Sequence, residues 1–584
     1  MLKPQHKYFI LSLLLLAGVF QSKAQQRNPA TEFVFHGLDR LDGQLLRDAM
    51  QKGGRGRFTH RDEPALRDAV VGAAGSLGFP FARIDSLLWD WSDDSSTVSA
   101  AVYLREGPQL RTDSISFTGN SALPAEELLR ELDLAPGALF VDAALNEDLR
   151  RIVAAYDAAG YPFAEARLAD ISLRESGDEA FANLTFSIEE GPLFYIDEIS
   201  VEGNSQTNTD VIVRETRIGE HERYDPEKVA DIRRRLERLQ FFASVDEPQL
   251  YLRDSTGGLL LHVTEGNTNQ FDGVIGYQPP RGTEERGSFT GLVNINFRNI
   301  FGTGRRLDAR WERATSEISE LELHYLEPWV AGLPINISVG LYQRQQDSAY
   351  VRRSFNGAVS FLWNSDVQLT GRVEQTQVIP SEGTQLVGLS RSSTLTGGIE
   401  LRIDTRDNVY NPRSGIVLRN SYSGGNKRLS GANGDISAYV QRLEVDAEYF
   451  LELLTRTVIA TGLHGRELRG GELDQSDLYR LGGANTLRGY REEQFSGTRL
   501  GWSSVELRYS LGRRTFAFAF FDFGYIEQSP DPLRNRPEFS ALRSGYGIGG
   551  RLETGLGIIG VSYALGEGDG IAEGKIHFGL INAF

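Results

Sequence analysis

Apolar and polar residues change their rhythm at Gln270. Beyond it they alternate one by one in short segments separated by Gly, Asn, Asp and Pro, the period-two pattern of strands whose two faces meet different environments. Sixteen strands are predicted, at 270–278, 287–298, 304–314, 317–327, 334–344, 350–363, 366–378, 393–404, 414–424, 436–451, 455–468, 499–511, 514–524, 543–554, 555–565 and 573–584. In the stretch from Val505 to Leu511, Val505, Leu507, Tyr509 and Leu511 share one face, and Glu506, Arg508 and Ser510 share the other. Such strands suit a transmembrane β-barrel over 269–584, apolar toward lipid and polar toward a lumen. An even count returns the C-terminus to the side on which the N-terminal half enters. Connections after even-numbered strands are mostly short (Asn364-Ser365), whereas several after odd-numbered strands are long (379–392, 469–498, 525–542), the asymmetry of periplasmic turns and outer loops. The last segment places Ile576, Phe578 and Leu580 on one face and ends at Phe584, an aromatic in phase with the lipid-facing set. A pair of soluble sandwiches accounts for neither the strand count, nor Phe584, nor the loop asymmetry.

Before Gln270 the chain repeats itself, which predicts a tandem array. Asp113-Ser-Ile-Ser-Phe-Thr-Gly-Asn120 matches Asp197-Glu-Ile-Ser-Val-Glu-Gly-Asn204, and Phe33-Val-Phe-His-Gly37 is a weaker copy. Two units then carry Gly78-Phe-Pro-Phe81 and Gly160-Tyr-Pro-Phe163 after a helical segment, and Phe241-Phe242 takes the comparable place in the third. Each unit closes on Glu-Gly, at Glu106, Glu190 and Glu265. The order within a unit reads β-α-α-β-β, giving α+β units at 30–109, 110–194 and 195–268. Val229, Ile232, Leu236 and Leu239 stripe the clearest helix, and Arg233-Arg234-Arg235 is expected on its solvated face, with a lipid-headgroup contact as the alternative. Each sheet presents an edge that either accepts an extended client strand or is covered, leaving the unit a spacer.

Residues 1–24 read as a secretory signal peptide: Lys3 and Lys7 precede the apolar run Tyr8–Phe20, and Ser22-Lys23-Ala24 offers small residues for cleavage. Losing three lysines with this leader takes the formal charge from −17 to −20, a balance that argues against nucleic acid. The chain has no cysteine, so neither a lipid-anchored cysteine nor a disulfide framework is available. A Gly-x-Ser-x-Gly elbow and a His-Glu-x-x-His pair are both missing, so no catalytic residue, metal ligand or cofactor site is assigned.

The long connection 469–498 holds the most informative stretch, from Leu481 to Phe495. Arg488 lies between Leu487 and Gly489, with Gly482 and Gly483 upstream, a pattern expected of a loop folded back into the barrel rather than a surface turn. An inward arginine then requires a carboxylate, because an uncompensated charge away from water costs several kcal/mol; the alternative is a solvated loop arginine.

These features resemble the BamA/TamA family of outer-membrane insertases with periplasmic POTRA domains, and the resemblance spans nearly all of the mature chain. The tandem units look like POTRA domains 1, 2 and 3. Leu487-Arg488-Gly489-Tyr490 looks like the tip of the family's sixth outer loop, and Phe520-Phe-Asp-Phe-Gly524 like its thirteenth-strand element. Asp404-Thr-Arg-Asp-Asn408 resembles a segment between its eighth and ninth strands, although turn chemistry accounts for it equally. The resemblance implies Asp522 as partner of Arg488, with Glu506 as a second. Asp522 shares parity with Phe516, Phe518 and Phe520, so either those aromatics pack on the loop or a bulge shifts the phase.

The function implied is a non-enzymatic factor of a Gram-negative outer membrane that inserts or exports unfolded β-rich client proteins. POTRA units would capture the client, and a seam between the first and last strands would open toward lipid. Gly579 would weaken that seam, or else serve close packing. Three POTRA units resemble the TamA-like branch, which implies a periplasm-spanning TamB-like partner and a possible role in lipid transport. A passive porin-type channel is the alternative of another class.

Overall fold

The computed structural model describes residues 30–584 apart from 53–62, 92–96, 279–287, 314–317, 347–349, 382–389, 432–433, 513, 531–536, 555–556 and 582–584. The expected leader and Phe584 therefore lie outside the described residues. The chain forms two compact bodies, one running up to Phe194 together with Arg223–Pro226, the other comprising Tyr195–Glu222 and Glu227–Phe584.

Three α+β units precede the barrel. In the first, strand Thr97–Arg105 pairs in parallel with Ala30–His36 and antiparallel with Arg83–Trp91. A parallel pair needs a long crossover, supplied here by helices Gly43–Lys52 and Glu63–Ser76. Their apolar faces bury Leu46, Leu66 and Val70 with Ala100 and Val102 of the central strand. The second unit repeats the plan, its central strand Glu179–Glu189 flanked by Gln109–Thr118 and Glu165–Ser176. In the third, Thr256–Glu265 is central, flanked by Glu198–Glu202 and Gln249–Arg253, with Phe242–Val245 as an additional short strand.

The repeated Gly and Glu are two halves of one turn. Gly37, Gly119 and Gly203 have φ of +80°, +84° and +88°, and a Cβ there would stand 2.5, 2.1 and 1.9 Å from the carbonyl oxygens of Leu104, Ile188 and Val263. Only glycine lets the first strand leave so close to the third. The Glu at the end of the third strand then receives the N–H groups that the turn exposes. Asp39 and Leu41 each donate to Glu106 at 2.8 Å, Ala122 donates to Glu190 at 2.7 Å, and Thr207 donates to Glu265 at 2.6 Å.

The barrel is one sheet of 16 strands in sequential order, each antiparallel to the next, from Asn269–Gln278 to Lys575–Ile581. Among the described residues no ladder joins the first strand to the last. In the final hairpin Gly579 pairs with Gly560, so neither side of that rung carries a side chain. Alternation is maintained along the twelfth strand, Arg499–Ser510, where Val505, Leu507 and Tyr509 are exposed and Glu506 is buried. The thirteenth strand, Phe516–Gln528, keeps an unbroken register with both neighbours. No bulge is needed: Phe516, Phe520 and Asp522 are all buried on the inner side, while Phe521 and Phe523 face outward.

The third unit docks on the barrel's periplasmic turns, and this corrects the expectation for Arg233-Arg234-Arg235. Only Arg233 behaves as a surface residue, paired with Glu237 and Glu247. Arg234 reaches Asp366 in the turn after the sixth strand at 3.1 Å, and Arg235 turns inward to Asp231 at 2.9 Å. Arg238, one turn further along the helix Pro226–Leu239, binds Asp366 and the carbonyls of Ser365 and Asp404. A helix that donates this many bonds to fixed turns forms one face of the junction, which a sequence pattern of charge cannot distinguish from a solvated one.

Glu265 yields a pH test. Burial raises its carboxyl, but the Ser205 hydroxyl and the N–H groups of Thr207, Gln206 and Ser205 outweigh it and hold the group at about 2. A depressed carboxylate contributes stability that is present above its unfolded value near 4.5 and disappears as pH falls toward about 2. Helical circular dichroism of the full chain should therefore lose thermal stability across that window, and Glu265→Gln should reduce the slope. An unchanged slope in the variant would contradict the assignment.

Candidate functional site

The connection between the eleventh strand, Thr457–Gly470, and the twelfth turns into the barrel. Tyr479–Leu481 and Phe495–Gly497 pair antiparallel as a short ribbon that closes its base. Gly482 and Gly483, at φ of +117° and +106°, allow the chain to fold back at once. The N–H of Gly483 donates to the Leu487 carbonyl at 3.1 Å, and that of Gly482 to the Thr486 hydroxyl at 2.9 Å. Leu481, Leu487 and Tyr490 then pack with Leu500, Trp502 and Ile526 in a small apolar core.

This core delivers Arg488 to two carboxylates. Its Nε and Nη2 donate to Asp522 Oδ2 and Oδ1 at 2.7 and 2.6 Å, its backbone N–H donates to Oδ2 at 3.1 Å, and Nη1 donates to Glu506 Oε1 at 2.6 Å. Arg508 donates to the other Glu506 oxygen at 2.8 Å. The guanidinium lies over the Phe520 ring at 3.6 Å, so the inward aromatics whose parity is awkward in the sequence form the platform for the loop tip. Asp522 is 0% exposed and Arg488 8%. Only a planar fork with several donors meets both acids at once, which is why arginine rather than lysine occupies the position.

The tip also spans the strands that follow. Three glycines mark its approach. A Cβ on Gly524 would meet Leu487 at 2.9 Å, one on Gly545 would stand 1.9 Å from the Arg488 carbonyl, and one on Gly489 would lie 2.6 Å from the backbone of Leu565. Tyr490 donates its hydroxyl proton to the Ser544 carbonyl at 3.0 Å and accepts from the N–H of Glu567 at 3.1 Å. Gly489 N–H donates to His577 Nε2 on the last strand at 3.2 Å. One four-residue segment thus bonds to the twelfth through sixteenth strands or their connections.

The arrangement holds a loop and bonds to the strand at the end of the sheet; among the described residues no cluster of His, Cys, Asp and Glu has the geometry of a metal site. An Omp85 superfamily domain matches residues 299–584, and POTRA (surface antigen variable number repeat) matches 111–191 and 194–266. The chain belongs to the Omp85 superfamily. As an Omp85 protein it resides in the outer membrane, with its POTRA domains in the periplasm. It is 24% identical over 494 residues to the outer membrane protein assembly factor BamA of Nitratidesulfovibrio vulgaris, an overlap covering 79% of this chain and 59% of that protein. It is 22% identical over 515 residues to the BamA of Neorickettsia risticii, covering 82% of this chain and 67% of the relative. The chain thus spans about three fifths of the N. vulgaris protein. Among solved structures, CdiB from Escherichia coli matches with a TM-score of 0.49 at 14% identity, covering 93% of this chain and 99% of that one.

This Omp85 barrel holds its loop by further bonds that the motif does not announce. Lys427, on the inner face of the ninth strand, Gly415–Gly431, is 0% exposed. Its ammonium donates to Asp474 at 2.9 Å, to Asp477 at 2.5 Å and to the Glu472 carbonyl at 3.0 Å. Arg344 of the fifth strand, Ile335–Gln346, bonds Glu493 at 2.7 Å on the far side of the tip. The signal for the first was available: Lys427 has the parity of buried Ser421 and Leu429, and two acids three residues apart sit in the loop. What the sequence lacks is the pairing across 47 residues. The Asp404 segment divides: Asp407 and Asn408 accept turn N–H groups, while Asp404 binds Arg402 and Arg406 at 3.1 and 2.7 Å.

Removing one partner of a buried ion pair strands the other, at a cost of about 3–5 kcal/mol. Arg488→Ala should lower the thermal midpoint at which the folded barrel loses its compact electrophoretic mobility. Arg488→Lys should fall between, having lost the fork but kept the charge. Lys427→Met should expose 472–478 to protease while leaving the Arg488 contacts intact, and adding Asp474→Asn and Asp477→Asn should restore protection. A wild-type cleavage pattern in Lys427→Met would remove that residue from the anchor.

Proposed function

We propose that this chain is a non-enzymatic outer-membrane assembly factor that helps insert or export unfolded β-rich client proteins. The observation that carries this reading is the end of the sheet. The last strand has seven described residues, Lys575–Ile581, pairs its Gly579 with Gly560 of the strand before it, and is bonded from inside by Gly489 through His577. A short end strand with one empty rung and no described partner on its other edge is the one most readily exchanged for an incoming strand. Pairing there satisfies backbone groups that lipid cannot. Arg488, seated on Asp522 and Glu506, holds the loop tip in position while that edge rearranges. The assembly-factor names of the two BamA relatives support the same class of activity.

Residues 30–109 are proposed as a third POTRA domain, on the shared strand order and the Gly37–Glu106 turn, and residues 1–24 as a cleaved signal peptide. The edge strand Glu165–Ser176 of the second unit exposes Ile171 and Leu173 and is the best-suited docking strand for an extended client. A TamA-like role with a TamB-like partner rests on the count of three units alone.

Depletion should lower the amount of folded barrel proteins in the outer membrane; unchanged barrels with reduced solute uptake would favour a passive channel instead. Cysteine pairs placed across Gly273–Gly276 and Ile576–Gly579, in a chain with no cysteine of its own, should block assembly when oxidised and release it when reduced. Full activity of the oxidised protein would exclude opening between the first and last strands.

A further inference from the structure

The junction between the third periplasmic unit and the barrel turns encloses a cavity of about 330 Å³ lined by seven arginines and only three carboxylates, Glu215, Asp366 and Asp404. Those acids are already committed. Asp404 serves both Arg402 and Arg406, and Asp366 serves both Arg234 and Arg238. Glu215 accepts the Trp329 indole N–H at 2.7 Å and is shared among the charges of Arg214, Arg217 and Arg235. Arg217 keeps donors to spare. It forms no ion pair among the described residues, its buried Nε has no hydrogen-bond partner, and its Nη1 meets only the Trp363 carbonyl at 3.3 Å. It also sits at φ +57°, directly after the helix Thr209–Thr216, a left-handed conformation that arginine seldom adopts.

Two features indicate what such a cavity would accept. Guanidinium groups with spare donors favour a multidentate oxyanion, and phosphate is the matching geometry. The depth is that of the membrane interface: Trp363 closes the lipid-facing row of Val359 and Phe361, is 72% exposed, and stands where interfacial tryptophans meet headgroups. Trp329, with Arg214 and Arg217 each 5.9 Å from its ring, lines the cavity itself. We propose that this cavity binds a phosphate group, with Arg217 as the principal ligand and Arg402 completing the site. The phosphate is that of a phospholipid in the inner leaflet or a soluble phosphate of the periplasm.

The test uses the full chain in detergent, in wild-type form and as Arg217→Gln and Arg402→Gln. Arg353→Gln, on the exposed Arg353–Gln343 pair, is the control, and heat-modifiable mobility verifies a folded barrel. Dioleoylphosphatidylglycerol and, separately, inorganic phosphate are titrated, with binding read by native mass spectrometry and tryptophan fluorescence. Wild type and Arg353→Gln should bind, and Arg217→Gln should lose affinity by about tenfold or more, as expected for one charge-assisted contact. Binding of the lipid alone identifies a headgroup site, and binding of inorganic phosphate identifies a soluble ligand. Binding of neither, or equal binding by folded Arg217→Gln, overturns the proposal. Assembly activity is measured separately, so loss of this site and loss of the assembly function are distinguishable.

Discussion

Arg488 is a fixed positive charge held away from water, and the inner architecture around it follows from that constraint. A buried guanidinium must have its charge and its donors met together. Asp522 and Glu506 meet the charge from adjacent strands, and Phe520 supplies a flat surface beneath it. Because two strands provide the acids, the loop tip can seat only where their register brings Asp522 and Glu506 within reach of one fork. The glycines at 489, 524 and 545 follow from the same demand, since any side chain there would push the tip away from its partners.

The same logic recurs in the periplasmic region with a different charge. In each unit a glutamate at the end of the central strand collects the N–H groups of the turn that glycine makes possible. A carboxylate receiving several backbone donors locks a turn without needing a cation. Where the third unit meets the barrel, the balance reverses, and arginines donate to turn carbonyls and shared carboxylates. The junction is thus bonded through the helix Pro226–Leu239 and rich in positive charge at its cavity, two properties created by one set of residues.

Seen together, the anchors describe a loop gripped on several sides. Arg488 binds toward the twelfth and thirteenth strands, Lys427 toward the ninth, Arg344 toward the fifth, and the Gly489–His577 bond toward the last. The last of these is a single neutral hydrogen bond, whereas the other three are ion pairs. Such an uneven distribution ties the loop more firmly to the other strands than to the last.

Period-two alternation established the sixteen strands and their inward and outward faces, because a strand between lipid and lumen has no other way to satisfy both. Self-similarity established the α+β units, since each must build its own core, and the Leu487–Tyr490 motif marked the loop. These are local properties, written in neighbouring residues. The tertiary structure alone decided that Phe516 and Phe520 line the lumen without a bulge, that Lys427 meets Asp474 and Asp477, and that His577 meets Gly489. It also decided that Arg234 reaches Asp366 and Arg235 turns inward to Asp231, while the buried Nε of Arg217 has no hydrogen-bond partner among the described residues. Each of those outcomes depends on which charges are brought together from distant segments, and a sequence records charge at a position but not the distance to its partner.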